Sequence, residues 1–157
     1  LKQLKSKINL KKKDKLFFID KYYKPEIPLN LTNHLLKFAN TSIDVSDGLI
    51  ADLSKMINRQ NLSFHLFEKK IPVSKKLDKM IKNLKSNKIN LTSNGDDYQI
   101  LFSASINKSR IIQNTSKRTG IKITKIGKIV TGKNRSLIFD EKGKQIQAKY
   151  SGYIHRF

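Results

Sequence analysis

Acidic residues at close spacing stand out in a chain this basic. The 157 residues include 33 lysines and arginines against 12 aspartates and glutamates, a formal net charge of +21. Yet the stretch TSIDVSDGLIADL, residues 41–53, carries Asp44, Asp47 and Asp52. The β-branched Ile43 and Val45 predict a strand, and Leu49, Ile50, Leu53, Met56 and Ile57 predict a helix over 47–60 with one apolar face. Asp44, Ser46, Asp47 and Gly48 then fall where strand passes into helix. Two carboxylates there repel a bare phosphate but suit Mg²⁺, a hard cation that takes oxygen ligands and bridges to substrate phosphates. Ser46 could bond a phosphate oxygen, Gly48 allows close backbone approach, and the helix start offers partly positive amides. The plainer reading makes Asp47 a helix cap and Asp44 a turn residue. Asp52 falls inside the helix, away from Asp47, and reads as a surface or structural residue.

Two further stretches hold groups of interest. In SNGDDYQILF, residues 93–102, Asn94-Gly95 signals a turn, and Asp96 and Asp97 sit just before a strand. Adjacent acids on a turn are usually solvated. The terminal YSGYIHRF holds Gly152, Tyr153 and His155, in a position where chains commonly fray. His34, His65 and His155 are too scattered to suggest a metal cluster. Cysteine is absent, which excludes disulfides and thiolate sites.

The elements that must position these residues can be read along the chain. Residues 1–19 mix lysine with leucine, isoleucine and phenylalanine at loose helical spacing and predict an amphipathic helix. KYYKPEIPLN, with Pro25 and Pro28, predicts an extended connector. NLTNHLLKFA predicts a helix, LSFHLF a strand, and SKKLDKMIKNL a helix capped by Ser74. YQILFSAS predicts a strand, SRIIQNTSKRTG a helix ending at Gly120, and IKITKIGKIV a strand. The closing GKNRSLIFDEKGKQIQAKY predicts a hairpin turning near EKGK. This order gives an α+β (mixed α/β) domain with helices packed on a mixed β-sheet.

Composition bounds the function classes. A 38% hydrophobic content argues against wholesale disorder, and the length fits one domain with its own core. No run of about 18 apolar residues could span a membrane, and the lysine-studded opening has no apolar signal-peptide core, so the expected address is cytoplasmic. The chain opens on Leu1, which suggests a piece of something longer. A basic domain invites a nucleic-acid reading. Against it, the charge is spread along the whole length and only five of the 33 cations are arginine, the residue whose fork reads phosphates and bases. Abundant lysine, isoleucine and asparagine together fit a bias toward A- and T-rich codons. The field would still attract polyphosphates.

Taken in order, SIDVSDGLIADL, PVS at 72–74, NGDDYQILF, IGKIVTG and SGYIHRF resemble the C-terminal domain of thiamine-monophosphate kinases, in the aminoimidazole-ribonucleotide-synthetase-like superfamily. The resemblance runs from about Tyr22 to Phe157 and rests on the combination of motifs. It implies transfer of the γ-phosphoryl group of ATP to thiamine monophosphate, giving thiamine diphosphate, with Mg²⁺ and with no residue forming a covalent intermediate. By resemblance, Asp44 and Asp47 match metal-binding aspartates and Ser46 a serine that contacts ATP. Asp96 and Tyr153 match residues that touch the thiamine phosphate. Asn94 stands for a glycine and Asp96 for a glutamate in the family's Gly-Gly-Glu-Asp-Tyr run. The expected organisation is a helical connector over 1–21, from a missing N-terminal domain, and the C-terminal domain over 22–157. The chain alone is expected to be inactive, the intact enzyme a homodimer, and neither a specific nucleic acid nor a membrane a partner. A relative acting on a different small molecule, or a basic nucleic-acid-binding module, are the other readings.

Overall fold

A pairing of two strands far apart along the chain organises one side of the fold. The computed structural model describes residues 10–84, 87–92, 95 and 98–147. Strand β1, Ala39–Asp44, pairs antiparallel with β3, Ile100–Ala104, in the register Asp44 with Ile100 and Ser42 with Phe102. The pairing continues one step past the strand ends, because Val45 N–H donates to Gln99 O at 2.8 Å and Tyr98 N–H to Val45 O at 2.9 Å. This two-stranded ribbon joins the first acidic stretch to the second.

The other strands form a four-stranded mixed sheet in the order β4-β2-β5-β6. Strand β2, Leu62–Phe67, lies antiparallel to β4, Gly127–Thr131, and parallel to β5, Leu137–Phe139. β5 turns back into β6, Gln145–Ile146. The turn is held by Asp140 Oδ1, which accepts the Lys142 and Lys144 amides at 2.9 and 2.8 Å. Buried Ser63 of β2 ties this strand to the connection between β4 and β5, donating to Gly132 O and accepting Arg135 N–H at 3.0 Å. The α+β architecture with a mixed sheet is as the sequence indicates, with β1 and β3 set apart as their own ribbon.

Helices in chain order are α1, Lys12–Tyr23; α2, Leu29–Leu35; α3, Leu49–Met56; α4, Lys75–Leu84; α5, Lys88–Thr92; and α6, Ser109–Thr119. Helix α3 is the central one. Its Leu49, Ile50, Leu53 and Met56 pack in one cluster with Val45, Phe64, Leu66, Leu101 and Ile138, joining ribbon and sheet. Ser74 caps α4 as expected, its Oγ accepting Leu77 N–H at 3.1 Å. Gly120, in the left-handed region at φ 69°, ends α6, a conformation that costs glycine least. Phe38, just ahead of β1, and Phe102 of β3 meet at 5.2 Å between centroids.

Several boundaries differ from the sequence reading. The first described helix runs through Lys21–Tyr23, read as extended connector, and stops only just ahead of Pro25. It buries no residue and is held to α4 by Lys76, which pairs with Asp14 at 3.0 Å and lies over the Phe17 ring at 4.5 Å. Helix α3 ends at Met56, with Arg59 at φ 61° in the turn beyond. Strand β4 begins only at Gly127. Helix α5 was not foreseen at all; buried Glu68 Oε1 anchors it by accepting Ile89 N–H at 3.0 Å.

Candidate functional site

The acidic stretch forms the predicted strand-to-helix junction. Asp44, the last residue of β1, is exposed at the ribbon's end. Val45 is buried and holds the chain in the core. Ser46 and Asp47 are half-buried, and Gly48, at φ 120° and ψ 150°, makes the turn into α3. A residue with a Cβ seldom adopts that φ. The junction thus brings Asp44, Ser46 and Asp47 onto one short loop fixed at both ends by buried residues.

Asp52, read as a surface or structural residue, is structural and fully buried, with 0% of its surface exposed. Its Oδ2 accepts three successive backbone amides, from Ser46 at 3.0 Å, Asp47 at 2.9 Å and Gly48 at 3.1 Å. Its Oδ1 accepts Lys55 Nζ at 2.9 Å. The capping role expected of Asp47 therefore belongs to Asp52, one turn inside the helix. The three amides that lead into the helix, those of Ser46, Asp47 and Gly48, are thus already bonded to a carboxylate. An acid in the first turn of α3 was the available signal, since negative charge is favoured at helix starts.

Asp47 has a different partner. Lys55 Nζ pairs with Asp47 Oδ2 while it also holds Asp52, bridging the two carboxylates across one turn of α3. Asp47 first, then Asp52, raises the Lys55 pKa above its ordinary value. The lysine neutralises part of the negative charge that the loop concentrates.

The second motif reaches the same place through Gly95. Its φ is +78°, and a Cβ built on it would lie 2.3 Å from Ser46 O and 3.2 Å from the Asp47 carbonyl carbon. Two backbones therefore touch where the first acidic stretch meets NGDDY. Asp96 itself lies outside the described residues, as do Asn94 and Tyr153. Among the described residues no group of three or more His, Cys, Asp or Glu side chains could hold a metal. Asp44 and Asp47 nonetheless supply hard oxygen donors of the kind Mg²⁺ takes, and that ion is commonly held by one or two carboxylates plus substrate phosphates. The donor chemistry fits. No helix among the described residues is long and apolar enough to cross a membrane.

Fold and junction define an α+β domain that presents carboxylates where an exposed strand end passes, through buried Val45, into a helix with a buried face. The relatives it matches are thiamine-monophosphate kinases. The enzyme of that name from Buchnera aphidicola subsp. Acyrthosiphon pisum is 35% identical over 144 residues, covering 88% of this chain and 42% of that protein. The one from Caulobacter vibrioides is 27% identical over 139 residues, covering 86% of this chain and 39% of that protein. Among solved structures, AaThiL complexed with AMPPCP and TMP shares the fold at a TM-score of 0.69 and 23% identity, covering 98% of this chain and 46% of that one. No family model matches the chain. The resemblance read from the motifs is borne out: the chain is a relative of the thiamine-monophosphate kinases. It spans less than half the length of the curated relatives it matches.

Proposed function

We propose that the chain is the C-terminal half of an Mg²⁺-dependent kinase that transfers the γ-phosphoryl group of ATP to thiamine monophosphate. The observation that carries this reading is 35% identity to a thiamine-monophosphate kinase along 88% of the chain. A likeness of fold to AaThiL complexed with AMPPCP and TMP supports it. The partial coverage of those relatives supports a missing N-terminal half, without which the chain is inactive. Helix α1, with no buried residue, suits a connector over residues 1–21 ahead of a domain over 22–157. The intact enzyme would be a cytoplasmic homodimer.

Transfer between two phosphates brings anions together, so catalysis rests on positioning and charge neutralisation. Mg²⁺, when bound, would supply that neutralisation. Asp44 and Asp47 would hold it, and Asp47 would have to exchange its Lys55 partner to do so. Ser46 would contact ATP, and Asp52 would keep the loop in shape by holding its three amides. Asp96 and Tyr153 would face the thiamine phosphate, an acid and a ring suited to a cationic thiazolium and a flat pyrimidine. The shorter acid at Asp96 and the Asn94 substitution favour one alternative, a different small-molecule acceptor in the same superfamily.

The test is transfer of labelled γ-phosphate from Mg²⁺-ATP to thiamine monophosphate, with the family's N-terminal half restored ahead of the chain. Robust transfer is expected, falling by about a hundredfold or more in Asp44→Asn, as for loss of a charge-positioning group. Transfer that is unchanged in Asp44→Asn would remove the metal role. A folded protein that phosphorylates other acceptors in preference would move the reading to the alternative substrate.

A further inference from the structure

A groove of about 350 Å³ lies between the segment after β2, the start of α4, the start of α5 and the segment before β4. It shares no residue with the β1–α3 junction. Lys69, Lys70, Lys75, Lys88 and Lys122 line it, with Asp78 the one acid among its described lining residues. Asp78 is itself paired with Lys82 at 2.8 Å. The groove therefore carries a strong local excess of positive charge.

Two of its residues carry poorly matched polar groups, one loosely paired and one unpaired. Lys88 is buried, with only 7% of its surface exposed. The carboxylate facing it, Glu141 Oε1, stands 3.5 Å away on a mostly exposed side chain, too far for a strong hydrogen bond. An ammonium has three protons to donate, and lysine is almost never buried without good pairing. Thr124 also lines the groove, and its buried Oγ1 has no hydrogen-bond partner among the described residues. A loosely paired ammonium and an unpaired hydroxyl are both costly inside the fold, and an anionic oxygen entering the groove would match the first, and the second once the Thr124 side chain turns toward it.

We propose that this groove binds the phosphate chain of a small polyphosphate-bearing molecule. Lys88 Nζ and Thr124 Oγ1 form its buried anchor, and Lys69, Lys70, Lys75 and Lys122 supply the surrounding charge. Lysine suits this role as a point-charge phosphate ligand, and the volume admits several linked phosphate groups. The inference goes beyond the kinase reading and stands without it.

The experiment titrates the full 157-residue chain with inorganic tripolyphosphate by calorimetry, in the absence of divalent metal. The variants are Lys88→Met, Thr124→Val and Lys128→Met, the last an exposed lysine of β4 outside the groove. Lys88→Met should weaken binding about tenfold or more and Thr124→Val several-fold, the range for lost hydrogen bonds to a charged ligand. Lys128→Met should change it less than about twofold, as a remote screened charge. Equal losses in Lys88→Met and Lys128→Met would overturn the proposal in favour of diffuse charge attraction. So would no binding to the parent chain, or a single-stranded oligonucleotide that binds more tightly and loses affinity equally in both lysine variants. Should Lys88→Met fail to fold, the isosteric Thr124→Val decides: unchanged affinity there overturns the site.

Discussion

Asp52 carries two tasks with its two oxygens. One oxygen collects the amides of Ser46, Asp47 and Gly48, and the other meets Lys55. Because the carboxylate is fully buried, removing it leaves three amides without their acceptor at a partly to fully buried site. Each unmatched buried donor costs about 1–3 kcal/mol. Asp52→Ala should therefore lower the unfolding free energy by at least about 3 kcal/mol, measured by urea denaturation of the chain. That is a large part of an ordinary domain's stability. Asp44→Ala, at an exposed strand end, should shift it by less than about 0.5 kcal/mol. The contrast separates an aspartate that builds the loop from one that the loop displays. A small effect of Asp52→Ala would mean that the amides find other partners and that the loop keeps its shape without the carboxylate.

Where two elements touch, backbone leaves no room for a side chain. Gly95 sits at positive φ with Ser46 O in the place its Cβ would occupy. Gly95→Ala must both enter a strained conformation and push apart the loops that follow β1 and precede β3. It should destabilise the chain by about 1–3 kcal/mol, and amide NMR shifts should move at Ser46 and Asp47 while those of α6 stay in place. Shifts confined to Gly95 and its neighbours would show the two loops are independent. The NG pair advertised a turn, but nothing in one sequence says that a turn will press against a loop some fifty residues earlier. Sequence reading worked where the period was clear: LSFHLF is β2 to the residue, and the Ser74 cap and Gly120 stop sit as expected. It missed α5, which has only five residues and owes its place to a distant buried glutamate. It misplaced the capping function because Asp47 and Asp52 have the same chemistry, and only the path of the loop decides which one turns inward.

For the molecule as a whole, charge is the dominant global property. With +21 on 157 residues, like charges meet far more often than opposite ones, and self-repulsion opposes the compact state. The described ion pairs are few and mostly surface contacts such as Lys82 with Asp78, worth little singly. Salt should therefore stabilise this domain, unlike one held by surface pairs. Between low ionic strength and about 0.5 M NaCl the screening length falls from tens of ångströms to a few. The melting temperature of the chain should rise by several degrees over that range, about 1 kcal/mol of relieved repulsion, and then level off. Flat or falling stability would mean that the cations lie far enough apart for water to screen them already. Tripolyphosphate added at matched ionic strength should raise the melting temperature further, because a ligand that binds only the folded state stabilises it by mass action. If it does no more than NaCl, diffuse screening accounts for the whole effect. A surplus that Thr124→Val abolishes would tie part of the charge to one groove, since that substitution leaves the net charge untouched.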